Sequence, residues 1–304
     1  MRRHLLDTTE FNKDELHALI ALGREMKANP AAFRTGLAGK NIVTLFEKQS
    51  LRTRVTFDIG INRLGGHAVY LDQQNGAMGQ RESVKDFAAN LSRWCDGIVA
   101  RVFDHKTLQG LREHATVPVV NSLCNLYHPC QALADFMTIA ENYDDLSKVK
   151  LAYLGDGNNV AHSLLITGAI FGTDVTVVSP KGSGPDAQIF NLAADLARKT
   201  GAKLAVTDNC DDIRGFDVAY TDTWVSIGDN TPMEAVIDKF MPYQINQALL
   251  DSTGIRHVLH CQPAHRELEI TSEVMDGPAS LIMDEAENRM HIQNAILYTL
   301  INQA

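Results

Sequence analysis

Short apolar runs alternate along this chain with segments whose apolar residues recur at helical spacing. Runs of four to six residues at 41–46, 67–71, 97–102 and 117–120 read as strands. Between them, 52–64, 83–94 and 105–113 read as helices. The first of these ends at Gly65-Gly66, and Ser83 with Asp86 opens the second. A helix over 8–26, started by Thr9, precedes the first strand, and another opens at Pro129 and runs to about residue 143. After a polar connection at 144–149 a second series begins. Its strands are 150–154, 174–178, 203–206, 216–221, 257–260 and, last, 281–283. Its helices start at Val160 and at Pro185 (running to 199), and a final helix covers 285–300. Strands alternating with helices predict an α/β fold of two domains, each a parallel β-sheet with helices on both faces. The expected domains are 1–145 and 146–284. Active groups in such folds gather beyond the carboxyl ends of the strands. Ser50, Asn121, Asn158, Asp222 and Cys261 follow predicted strands and Arg101 stands near the end of one, so a shared cleft is expected.

Composition narrows the field. A length of 304 residues suits two domains. With 28 basic and 37 acidic residues the net charge is −9, and no basic face is evident, which argues against a nucleic-acid partner. An anionic substrate then has to be held by local arginines. The five cysteines (Cys95, Cys124, Cys130, Cys210, Cys261) contain no CxxC, so neither a disulfide framework nor a zinc site is suggested. No apolar run approaches the roughly 20 residues that span a bilayer. Arg2 and Arg3 are not followed by the apolar core of a signal peptide. A cytoplasmic enzyme with no membrane partner is the expectation.

The segment with the clearest chemistry is Phe46-Glu-Lys-Gln-Ser50-Leu-Arg52-Thr53-Arg54-Val-Thr-Phe57. It follows a strand and opens a helix, where unpaired backbone N–H groups and the positive dipole end favour anions. Two hydroxyls and two guanidiniums there suit a phosphate. The plainer alternative is an ordinary N-cap followed by a solvated basic turn. His128-Pro-Cys-Gln131 opens a second helix, and Gly155-Asp-Gly-Asn158-Asn159 follows another strand. A dinucleotide fingerprint there would need a third glycine at Val160, which disfavours a nucleotide-dependent oxidoreductase.

Together with Asp222-Thr-Trp-Val-Ser226-Ile227-Gly228, His260-Cys261-Gln262-Pro263 and Glu287-Asn-Arg289, these segments resemble the aspartate/ornithine carbamoyltransferase family, in the family's order and over nearly the whole chain. The resemblance implies transfer of the carbamoyl group of carbamoyl phosphate to an amine, with the δ-amine of L-ornithine as the expected acceptor. It implies no metal and no organic cofactor. Ser50, the Leu51 backbone, Arg52 and Thr53 would bind the phosphate, and Arg101 would bridge phosphate and carbonyl oxygen. His128, Gln131 and Arg289 would bind the carbamoyl group. Asn159, Asp222, Ser226, Ile227, Cys261 and Gln262 would take the ornithine. The resemblance also implies two helices linking the domains, with the final one, 285–304, packing back on the first domain. Further implications are a loop over 223–238 closing on the acceptor, and a homotrimer or a multiple of trimers.

Taken singly, Arg101 reads as a surface arginine, His128 and Asp222 as helix-end or turn residues, and Cys261 as a buried structural thiol. The sequence also departs from the family pattern. Gln49 replaces a proline, Leu51 a threonine, Gln262 a leucine and Ile227 a methionine, while Ala77 stands where a histidine or glutamine commonly reaches a neighbouring subunit's phosphate. Another amine acceptor (an acylated ornithine, aspartate or a diamine) and a catalytically silent family member therefore remain as alternatives.

Overall fold

The computed structural model describes residues 4–72, 82–224 and 232–302. They fall into two compact units: Met1–Met137 with Glu287–Ala304, and Thr138–Ala286.

In the first unit, β1 (Asn41–Phe46), β2 (His67–Asp72), β3 (Gly97–Arg101) and β4 (Val119–Leu123) form a wholly parallel sheet of order β2-β1-β3-β4. The two central strands show no apolar/polar alternation because both of their faces are covered; every residue of β3, and every residue of β1 after Asn41, is buried. The helices are α1 (Lys13–Ala28), α2 (Leu51–Arg63), α3 (Val84–Leu91), α4 (His105–His114) and α5 (Pro129–Asn142). The helix expected over 8–26 is in fact two elements. Asp7 caps a single 3-10 turn at Thr8–Glu10. Asn12, not Thr9, starts α1: Asn12 Oδ1 accepts from the Glu15 N–H, and the Glu15 carboxylate accepts from the Asn12 N–H. This reciprocal cap satisfies two donors at once and so outcompetes Thr9. Asn121 lies inside β4 rather than beyond it. It is fully buried and donates to the Leu6 carbonyl at 2.8 Å, which ties down the N-terminal segment.

In the second unit, β5 (Lys150–Leu154), β6 (Asp174–Val178), β7 (Leu204–Thr207), β8 (Val218–Thr221) and β9 (His257–His260) form a parallel sheet of order β7-β6-β5-β8-β9. The helices are α6 (Asn159–Phe171), α7 (Ala187–Thr200), α8 (Met233–Phe240), α9 (Gln247–Thr253) and α10 (Ser272–Met275), while α11 (Ile282–Asn302) starts in this unit and lies mostly in the first. From Val160 to Phe171 every residue of α6 is buried, which accounts for its unpatterned apolar sequence. Pro185, expected at the first helical position, lies just outside α7. Asp186 is the cap, accepting from Gln188 and Ile189 N–H. The strand expected at 281–283 does not form. Its contact with β9 shrinks to a single bridge between Val258 and Ser280, and α11 begins at Ile282.

The chain passes from the first unit to the second within α5 and returns within α11. In the first unit, α2 meets α11 at Gly60, where a Cβ would sit 2.2 Å from Asn294 Oδ1. No helix among the described residues is long and apolar enough to cross a membrane.

Each sheet reverses its strand order once, between β1 and β3 in the first and between β5 and β8 in the second. Crevices at such switch points, beyond the strands' carboxyl ends, are where open α/β sheets bind ligands.

Candidate active site

At the first switch point, Phe46 and Arg101 are ladder partners at the ends of β1 and β3. The Glu47 N–H donates to the Arg101 carbonyl at 2.8 Å, and the Glu47 carboxylate accepts from the Phe103 N–H at 3.0 Å, so the two strand ends are locked together. Four residues past β1, Ser50 caps α2 by accepting from the Thr53 N–H. This places Thr53, 1% exposed, under two guanidiniums. Arg289 donates to Thr53 Oγ1 at 2.9 Å and Arg101 donates to it at 3.4 Å. Both arginines are themselves buried. Two like charges sharing one hydroxyl in a buried place repel each other, and the arrangement is stabilised by an anion.

His128, the residue before α5, is buried beside the same pair. Burial, then Arg289, then Arg101 hold its imidazole well below the usual histidine range, so it is neutral near pH 7. Gln131 is fully buried, and its amide donates to the Asp135 carboxylate one turn later at 2.7 Å. Lys48 lies close by. Burial and then Arg101 lower its pKa, which marks it as a third cation of this cluster that no sequence reasoning singled out. Its only signal was a place two residues before Ser50. Arg52 sits partly exposed on the first turn of α2, and Leu51 points its side chain outward. Arg54 is not with the other arginines. It pairs with Asp58 at 3.5 Å and stacks 3.6 Å over the Tyr70 ring, so one of the two guanidiniums that made the segment look like an anion site is engaged elsewhere.

At the second switch point, Asp222 follows β8 and Cys261 follows β9, both buried. Asp222 Oδ1 accepts from the Thr223 N–H at 2.7 Å and from the Cys261 thiol at 2.9 Å. Asp222 Oδ2 accepts from the Asn158 amide at 2.9 Å. Asn158 is the N-cap of α6, and Asn159 is that helix's first residue, partly exposed. Gln262 adopts a left-handed backbone (φ 57°) ahead of a cis bond to Pro263, and its N–H donates to His260 Nδ1 at 2.9 Å. The other ring nitrogen of His260 meets the buried Glu269 carboxylate at 3.1 Å. Ligand atoms of Asp222, His260 and Cys261 lie within 4.8 Å of one another, as a metal site requires. With both His260 nitrogens engaged inside the protein, metal binding there would cost one of these hydrogen bonds. Ser226, Ile227 and Ala77 lie outside the described residues.

The glycine turn after β5 has a structural explanation. A Cβ on Gly157 would stand 2.2 Å from the backbone of Gly184 and of Pro185, and the Gly157 N–H donates to the Ser183 carbonyl at 2.7 Å. The close approach that this glycine permits is to the segment before α7, not to a pyrophosphate.

Residues 3–141 match the family described as "Aspartate/ornithine carbamoyltransferase, carbamoyl-P binding domain", and residues 147–300 match "Aspartate/ornithine carbamoyltransferase, Asp/Orn binding domain". A protein of Moritella profunda named "Ornithine carbamoyltransferase" is 68% identical over 298 residues, which cover 98% of this chain and 99% of the relative. One of the same name from Shewanella oneidensis is 55% identical over 300 residues, covering 99% and 100%. The solved ornithine carbamoyltransferase of Pyrococcus furiosus superposes with a TM-score of 0.93 at 40% identity, covering 97% of this chain and 96% of that one.

Proposed function

The chain belongs to the aspartate/ornithine carbamoyltransferase family, and on that premise we propose that it transfers the carbamoyl group of carbamoyl phosphate to the δ-amine of L-ornithine, giving L-citrulline and phosphate. The observation that carries the carbamoyl phosphate half is the pair of buried guanidiniums on Thr53. The phosphate lies on the first turn of α2, against Ser50, the Leu51 N–H, Arg52 and Thr53. Arg101 spans phosphate and carbonyl oxygen. Neutral His128, with Gln131 and Arg289, holds the carbamoyl group by hydrogen bonds. Asp222 and Asn159, with Ser226, Ile227 and the Gln262 carbonyl, take the amino-acid acceptor.

The amine nitrogen attacks the carbonyl carbon, and the carbonyl oxygen becomes an oxyanion stabilised by Arg101 and His128. The carbonyl then re-forms as the C–O bond to phosphate breaks, the surplus proton on the attacking nitrogen leaves with the phosphate, and the remaining phosphate charge is held by the guanidiniums and the helix N-terminus. The δ-ammonium has an unperturbed pKa near about 10.4, so it must shed a proton before attack. Cys261 and Asp222, already hydrogen-bonded to each other, form the route for that proton. Catalysis here is positioning plus electrostatics.

We further propose a cytoplasmic homotrimer, or a multiple of trimers. Leu51, Val55 and Ile59 are exposed at successive turns along one side of α2, an apolar stripe suited to a second copy of the chain. Light scattering should return a mass of three chains or a multiple of three, and a monomer would sink this part.

The activity test is product formation from carbamoyl phosphate with L-ornithine, N-acetyl-ornithine, aspartate and putrescine as parallel acceptors. Turnover with ornithine alone is expected. Turnover with another amine would overturn the acceptor assignment and leave the phosphate half standing. No turnover with any would make the chain a silent member of its family.

A further inference from the structure

We infer that Asn158 is a positioning residue for the acceptor amine, its side-chain amide fixing the Asp222 carboxylate in one orientation across the β5–β8 switch point. The inference rests on the proposal that Asp222 takes the amino-acid acceptor.

Three donors converge on Asn158 Oδ1: the Val160 N–H at 2.9 Å, the Ala161 N–H at 3.3 Å and the Tyr153 hydroxyl at 3.3 Å. Turning the amide over would set its NH₂ against the two backbone N–H groups and its oxygen against Asp222 Oδ2, so only one orientation is compatible with the surroundings. In that orientation the NH₂ donates to Asp222 Oδ2 at 2.9 Å. The other carboxylate oxygen is held by the Thr223 N–H and the Cys261 thiol. Rotating the carboxylate would break all three of these bonds. Asn158 thus ties the first turn of α6 to the acid beyond β8, two elements brought together only by the reversed strand order.

The competing explanation is that Asn158 is no more than an N-cap. Serine, threonine and aspartate cap helices about as well. What they lack is a second arm: a carboxylate has no donor, and a hydroxyl is too short to hold the cap and reach Asp222 together. Asparagine alone among good caps accepts at one end and donates at the other.

Asn158→Asp and Asn158→Ser separate the two explanations, since both keep a capping oxygen. Each full-length variant would be assayed for product formation, with L-ornithine varied at saturating carbamoyl phosphate and then the reverse, alongside its thermal midpoint. Asn158→Ser is expected to lower kcat/KM for ornithine about 10-fold through the lost donor to a charged group. Asn158→Asp sets a second carboxylate against Asp222, and about 100-fold is expected. The KM for carbamoyl phosphate should stay within about twofold of the parent in both, because loss of ornithine contacts alone leaves the other substrate's binding intact. The inference is overturned if Asn158→Asp keeps ornithine kcat/KM within about twofold, the result for a pure cap. It is equally overturned if both variants lose thermal stability and impair both substrates in proportion. Asp222→Asn serves as the control. If that variant keeps ornithine turnover, the acceptor reading itself has failed, whatever Asn158 does.

Discussion

Thr53 concentrates much of the first half-site in one hydroxyl, because it receives both Arg289 and Arg101 while its own N–H is capped by Ser50. Thr53→Val keeps the shape and the backbone N–H but removes the oxygen both guanidiniums share. We expect kcat/KM for carbamoyl phosphate to fall between about 10- and 100-fold, with the KM for ornithine nearly unchanged. An effect below about twofold in steady-state kinetics would mean that the hydroxyl does not organise the arginines. Much of this cluster was legible in the sequence. Ser50, Arg101 and His128 each stand where a strand ends or a helix starts, and that placement follows from the alternating pattern alone. Arg54 misled, because its partners are Asp58, one helical turn on, and Tyr70, delivered by an adjacent strand. Asn158 was placed at a strand end and given no role. An asparagine before a helix looks like any cap until the reversed strand order sets Asp222 beside it.

At the scale of elements, the boundaries that were misplaced have local causes. Asn12 with Glu15 and Asp186 with its two N–H donors are stronger starts than Thr9 or Pro185. The run at 281–283 failed as a strand because only Ser280 bridges Val258 before helical bonding takes over, with the Glu285 N–H donating to the Leu281 carbonyl at 2.9 Å. The turn between β5 and α6 gives the test at this scale. Gly157→Ala would drive a Cβ into the backbone of Gly184 and Pro185, and no flexible side chain is there to yield. We expect a loss of about 1–3 kcal/mol in denaturant unfolding, from steric overpacking. Activity toward ornithine should suffer as well, since Asn158 is the next residue. An alanine variant of parent stability would show that residues 184–185 can retreat.

Taken whole, the molecule excludes protons from several imidazoles. His4, His105, His128 and His257 all have lowered pKa values, with burial the largest cause in each. In the unfolded chain such groups titrate near about 6.5. Above that pH both states are neutral and nothing is lost. Below it the unfolded chain takes up protons that the folded one refuses, so stability falls until the folded pKa values are reached. In phosphate-free buffer the thermal midpoint should drop as pH falls below about 6.5. The margin of the parent over His128→Gln should be smaller at pH 5.5 than at pH 7.5, and equal margins would mean that His128 is not among the groups responsible. The net charge of −9 is legible in the sequence, but which histidines stay neutral depends on burial that no linear pattern reveals. The position of both half-sites between central strand pairs, β1 with β3 and β5 with β8, has a kinetic corollary. Amide protons along those ladders are expected to be among the slowest to exchange with solvent, because core strands open near the global free energy. The strand ends that carry each half-site should then persist as long as their sheet does, with melting of a sheet starting at its outer strands.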